Sequence, residues 1–203
     1  MPDFSNRPPK TAADLMAELS ADADFVRRSR EQAETQQELR SALKADEEIL
    51  VLDLAKVGVR VGSVWDLVNY KGAYRAAIPV LVNHLRRTHH PRTVEGIARA
   101  LTVPEARGTA TDALIERFLG VENPESQLKW VLGKAIAETA TADTAPRIVP
   151  LVTDRRHGKG RALLPLALRY LPREEVEVIL QKLAQDADVA EHAKQLLALI
   201  NQR

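Results

Sequence analysis

The sequence predicts an all-α protein, a right-handed solenoid of about four short helical hairpins behind an N-terminal helical segment. Three observations carry that prediction. Hydrophobic residues make up 45% of the chain while aromatic residues make up only 4%, so the core is built from Leu, Val, Ile and Ala, the palette of packed helices rather than of a sandwich or barrel. Glycine and proline breakers fall between segments of helical length. From about residue 73 the pattern recurs every 35 residues, the mark of one supersecondary unit stacked on itself.

Residues 1 to 10, MPDFSNRPPK, read as a flexible tail. Thr11 or a neighbour is placed to cap TAADLMAELSAD, where Leu15, Met16 and Leu19 share a helical face. From Asp24 no Gly or Pro interrupts the chain until Gly58, and residues 27 to 37 contain a single apolar residue, Ala33. This predicts one long helix, or two, with a solvated middle laced by charge pairs four residues apart. Gly58 suits a helix C-cap, and Ser63 with Asp66 makes a capping pair for SVWDLVN. Trp65, Leu67 and Val68 are expected to be buried there.

Beyond Gly72 the chain repeats itself. AIPVLVNH from Ala77 is echoed by PRIVPLVT from Pro146, and IARAL from Ile97 by LGKAI from Leu132 and ALRYL from Ala167. The helix pairs predicted are 74–87 with 92–103, 109–120 with 124–139, 144–154 with 160–171, and 173–185 with 188–201. His90-Pro91, Pro104, Gly108, Asn123-Pro124, Asp143, Gly158 with Gly160, and Pro172 separate them. Asn123-Pro124 has the form of an N-cap followed by proline at the first helical position. Pro79 and Pro150 fall at matching places in the first helices of the first and third pairs, where a proline removes a backbone hydrogen bond and bends the axis.

Over about residues 73 to 203 the chain resembles the HEAT-repeat family, in particular its short bacterial HEAT-like members. The resemblance rests on proline-bearing first helices, IPVLVNHL and IVPLVTDR, and on second helices rich in small residues and leucine, EGIARAL and LGKAIAE. It implies a solenoid whose second helices line a concave surface. The chain departs from the family in its short period, and in Thr93, Leu128 and Leu163, which stand where many HEAT repeats carry a turn aspartate. That departure leaves the usual side-chain ladder open, not the stacking. A tetratricopeptide array matches the period better but lacks its signature aromatics. The division predicted is a tail at 1–10, a helical segment at 11–72 that covers the first repeat, and repeats at 73–203.

The formal net charge is +1, from 29 basic and 28 acidic residues, so any electrostatic site is local. There is no cysteine, which excludes thiol nucleophiles, disulfides and cysteine zinc sites. No signal-peptide run and no apolar span of eighteen residues occurs, so a cytoplasmic location is expected. The expected function is a non-catalytic protein-binding scaffold with no cofactor, because no phosphate loop, HExxH or nucleophile elbow is present. The partner is another protein with an acidic surface.

Arg99, Lys134 and Arg169 are each 35 residues apart, which places them in one stripe along the second helices of a stacked array. Glu95 and Glu138 stand four residues from Arg99 and Lys134, while Arg169 has no acid at that spacing and reads as the most available of the three. A second set of candidate contacts, Arg86 and Arg87 in RRTHHPR and Arg155 and Arg156 in DRRHGKGR, lies in turns that alternate with the acidic turns VENPES and QDADVA. Such alternation suits a protein partner, or adjacent turns that attract one another. His84, His89, His90 and His157 are not expected to bind metal, since no acid in the same turn completes a ligand set. The competing reading is nucleic-acid binding, with glycosylase-like repair chemistry as its extreme form. A homo-oligomer built on the polar arm at 27–41 is the third.

Overall fold

A computed structural model describes residues 11–123 and 126–201, and the tail expected at 1–10 lies outside them. Among the described residues every regular element is helical and no strand occurs. They fall into two compact units, divided between Lys44 and Ala45.

The first unit contains α1, Ala12–Ala21, and most of α2, which runs Ala23–Lys56 as one helix. Asp22 stands between them, its Oδ1 accepting from the amides of Asp24 at 2.9 Å and Phe25 at 3.1 Å, the N-cap arrangement that satisfies orphan donors of a first turn. Residues 27 to 41 of α2 are all exposed. Arg27 pairs with Asp24 at 2.9 Å and Arg30 with Glu34 at 2.9 Å, the laced surface that the sequence predicts. Met16 is exposed, and the side chains of Leu15 and Leu19 lie outside the described set.

The second unit starts well before residue 73. Glu47, Leu50 and Leu54 of α2 are buried, spaced three and four apart as one helical face requires. The helix then stops in a Schellman motif: Gly58, at φ 84°, donates to the Ala55 carbonyl while the Val59 amide reaches back to Leu54, both at 3.0 Å. In α3, Trp65–Val68, the expected capping pair forms reciprocally. Asp66 Oδ2 accepts from Ser63 N at 3.0 Å and Gly62 N at 2.8 Å, and Ser63 Oγ accepts from Trp65 N at 3.2 Å. Leu67 is buried and Trp65 partly buried under Arg92, whose guanidinium carbon sits 4.2 Å from the ring centre. Val68 is exposed, contrary to expectation, because so short a helix turns only one face inward.

The later helices are α4, Ile78–Leu85; α5, Pro91–Ala100; α6, Thr111–Leu119; α7, Gln127–Thr139; α8, Ala145–Thr153; α9, Arg173–Leu183; and α10, Ala190–Asn201. Each of α4–α5, α6–α7 and α9–α10 is a contacting pair, and α8 pairs with a 3₁₀ segment, Leu164–Tyr170. Neighbouring pairs meet through α4 on α6, α5 on α7, and α7 on Leu164–Tyr170, which in turn touches α9 and α10. One apolar core runs through all of them, from Leu50 to Ala193. Each buried leucine, valine or phenylalanine in it is worth about 1.5 to 3 kcal/mol.

Three local expectations need correcting. The second member of the third pair is not an α-helix: Arg155–Arg161 and Leu164–Tyr170 are both 3₁₀. Gly158, at φ 48° and ψ −141°, breaks the helical path, and Pro165 sits at the start of the second piece. Pro79 bends nothing, since it occupies the first turn of α4 after a 3₁₀ lead-in, Arg75–Ala77, where its missing N–H has no partner to lose. Pro150 does lie inside α8. Finally, α7 is capped by Ser126, which accepts from Lys129 N at 3.2 Å; Asn123 instead supplies the carbonyl to which the Ser126 hydroxyl donates, and Pro124 lies outside the described residues.

Candidate functional site

Helices α5 and α7 are covered on most sides by their neighbours, so few of their side chains reach solvent. In α5, Thr93, Val94, Glu95, Gly96, Ile97, Ala98 and Ala100 are buried. Glycine at 96 permits this: a Cβ there would lie 2.6 Å from Val64 Cγ1 and 3.0 Å from Trp65 Nε1. In α7, Gly133 faces the Gly160 carbonyl oxygen so closely that no Cβ fits. What these elements leave outward includes Arg99, Lys134 and Arg169, at matching positions of three segments that contact one another in order.

Their surroundings differ. Arg99 lies 2.9 Å from Glu95, itself 7% exposed, so this predicted pair forms. Arg169 is held more firmly than the sequence suggests. It donates to the Leu166 carbonyl at 2.8 Å and to the Ala137 carbonyl at 3.3 Å, and its guanidinium sits 4.7 Å from the Tyr170 ring centre. The Lys134 side chain is exposed and makes no ion pair or hydrogen bond with the described residues; its expected pairing with Glu138 is not formed. Lys134, not Arg169, is the most available cation of the three.

The four turn arginines are engaged within the chain. Arg86 bonds Glu116 of α6 through Nε at 2.8 Å and NH2 at 3.3 Å, which raises its pKa. Arg87 lies 3.6 Å from Asp53. Arg155 reaches Asp186 at 3.1 Å, and Arg156 holds Asp154 at 2.7 Å, a contact that keeps the Asp154 carboxyl well below the usual carboxylate range. Turn three therefore attracts turn four, as charge alternation predicts, with one addition: Arg161, fully buried, donates to the Val152 carbonyl at 3.0 Å and to Asp186 at 2.7 Å. Burial of Asp186 disfavours its charge, yet these cations outweigh it and hold the carboxyl low.

The turn with no basic run is closed from within. Lys129 is 3% exposed; its Nζ donates to the Val121 carbonyl at 2.5 Å and lies 4.8 Å from the Phe118 ring centre. Burial pushes its pKa down. His157 meets the same ring edge-on at 4.9 Å, and burial first, then the Lys129 charge, lowers its pKa.

The structure also assembles a cluster that sequence reading missed. His84 and His89 lie nearly parallel, their ring centres 5.2 Å apart, with His84 Nδ1 2.9 Å from His89 Nε2. His84 Nε2 is 3.1 Å from Asp53 Oδ2, and His89 Nδ1 is 3.3 Å from Asp46 Oδ2. Asp46 also accepts from the His90 amide at 3.1 Å, while the His90 ring caps α5 by accepting from Arg92 N at 3.1 Å. Lys56 lies 2.7 Å from Asp53 and, with His84, holds that carboxyl down at about 2. Burial disfavours the charge on Asp46, but the Thr93 hydroxyl, the His90 amide and His89 together bring its pKa below the ordinary value. His84 is 1% exposed, and burial lowers its pKa against the pull of Asp53. The four groups form a line rather than a convergent set, and no group of three His, Asp or Glu suited to a metal ion occurs among the described residues.

The chain matches no family model, no curated protein and no solved structure. Among the described residues no helix is long and apolar enough to cross a membrane.

Proposed function

We propose that the chain is a cytoplasmic, non-catalytic interaction module, a HEAT-like solenoid that binds an acidic protein surface along its second-helix face. The order of contacts between successive helix pairs supports the solenoid. The observation that carries the binding reading is Lys134: it projects from a helix buried on most other sides, between Arg99 and Arg169 in register, with no internal partner. A solvated lysine needs no explanation alone; one flanked at the same position of two adjoining elements by arginines forms a cationic strip. The turn arginines Arg86, Arg87, Arg155 and Arg156 contribute less, since each already neutralises an acid of the chain.

The test is capture of partners from nuclease-treated cytosol by wild type and by Lys134→Glu, then by Arg99→Glu/Lys134→Glu/Arg169→Glu. Lys134→Glu removes no contact, so its stability stays within about 0.5 kcal/mol of wild type. A partner retained by wild type and lost from the folded single variant supports the reading; identical retention by all three proteins rejects it. Binding that survives only without nuclease, and weakens steeply with salt, points to phosphate contacts instead.

A further inference from the structure

The line Asp53, His84, His89, Asp46 uses all four imidazole nitrogens, and its proton count is not that of two neutral rings. An ionised carboxylate accepts hydrogen bonds and donates none, so His84 Nε2 and His89 Nδ1 must each carry a proton toward Asp53 and Asp46. Those two protons complete two neutral imidazoles. His84 Nδ1 and His89 Nε2 would then face each other as bare lone pairs 2.9 Å apart. A third proton turns that opposition into a hydrogen bond, and a fourth sets N–H against N–H. We infer that His84 and His89 share one proton as an imidazole–imidazolium pair, and that the hold of α2 on the first helix pair is therefore strongest at intermediate pH and weaker on either side.

The surrounding groups agree with a single excess proton. From α2, Asp46 and Asp53 lie seven residues apart, two turns on one face, and Lys56 pairs with Asp53. The neighbouring Glu47 carboxylate is occupied, accepting from Val64 N at 3.1 Å. From α5, the Thr93 hydroxyl and the His90 amide face Asp46, and Arg92 is turned to Trp65 and Glu95. After α4, Arg86 is bound to Glu116, and Arg87 NH1 lies 3.3 Å from His84 Nε2 and 3.6 Å from Asp53 Oδ2. Were Arg87 to donate to a bare His84 Nε2, the pair could be neutral, but that lone pair would then oppose Asp53 Oδ2 at 3.1 Å. Donation by Arg87 to the carboxylate avoids this. Asp46 and Asp53 are both held below the ordinary carboxylate value, which keeps both acceptors ionised.

The linkage has a definite sign on each side. Unfolded, the two imidazoles bind two protons well below their ordinary value of about 6.5 and none well above it. Folded, the pair binds one. On the acid side unfolding takes up a proton, so stability rises with pH; on the alkaline side unfolding releases one, so stability falls as pH rises. Burial of two neutral rings alone would give the first limb and then a plateau.

The experiment compares melting temperatures of wild type and His84→Gln/His89→Gln from about pH 5 to about pH 9, a range centred on the imidazole value. His90, His157 and His192 are common to both proteins and cancel in the difference. The difference is expected to pass through a maximum near the ordinary imidazole pKa and to shrink on both sides; a difference that rises and then stays level overturns the inference. Should the double variant fail to fold, nitrogen-15 spectra of the wild-type rings at neutral pH decide. Three ring N–H protons on the His84–His89 pair support the shared proton, and two neutral rings carrying one each overturn it.

Discussion

Gly133→Ala is the substitution whose outcome the packing fixes most sharply. Gly133 lies inside α7, where alanine is intrinsically better than glycine by about 1 kcal/mol. The added Cβ would, however, fall well inside contact distance of the Gly160 carbonyl oxygen, with the Phe118 ring 3.7 Å away on another side. A backbone carbonyl cannot rotate aside as a side chain can. The segment bearing it is also pinned: Gly158 turns it at φ 48°, and the next residue, Arg161, is buried and bonded to Val152 and Asp186. Overpacking costs about 1 to 3 kcal/mol, and so rigid a neighbour puts this case at the upper end. After the helical gain, the net loss is about 2 kcal/mol, which for a chain of this length lowers the melting temperature by roughly 4 to 8 °C. Urea and thermal denaturation measure it, with Gly120→Ala as control, since the nearest atom to a Cβ there is 3.6 Å away and φ is −75°. If Gly133→Ala were as stable as wild type or more so, the close approach of α7 to Arg155–Arg161 would be refuted.

Asp186→Asn should cost about 3 kcal/mol, because it leaves the fully buried Arg161 with only the more distant Asp188, at 3.7 Å, as a counter-charge, whereas Arg161→Met should cost clearly less; equal losses in urea denaturation would count against a buried charge pair. Since the Asp186 carboxyl is held below its ordinary value, its contribution is present above the normal carboxylate range and fades as pH falls below it, so the acid limb of the wild-type stability profile should flatten in Asp186→Asn. Gly58→Ala meets no atom within 4 Å but forces alanine to φ 84°; a loss of about 1 kcal/mol is expected, with Gly58→Asn costing less. A melt of Gly58→Ala matching wild type would argue against the Schellman stop of α2.

Local chemistry made much of the helical order legible. Gly58 ends α2, Ser63 and Asp66 cap α3, and Pro91 opens α5, because caps and breakers act over three or four residues and leave their mark in short stretches. In the third pair, Gly158 permits a backbone path that side-chain periodicity does not report. The change from exposed to buried along α2 leaves no mark in the sequence, because Leu50 and Leu54 belong to the same helix as the polar arm, with no breaker between them. The cationic positions were visible through their period, yet which of them is free was not, since Arg169 finds the Ala137 carbonyl 32 residues away. The histidine line was invisible for the same reason: Asp46 and Asp53 precede their partners by 43 and 31 residues, and only the packing of α2 brings them together.

Photocrosslinking from a single position shows whether a partner sits on the second-helix face. A photoreactive residue at position 134 is compared, in cells, with one at position 119, where Leu119 is exposed at the end of α6. A discrete adduct with a protein partner is expected from position 134, abolished by adding Arg99→Glu and Arg169→Glu, and none from position 119. Adducts from position 119 alone, or from position 134 regardless of the two charge reversals, would contradict a partner seated on the second-helix face.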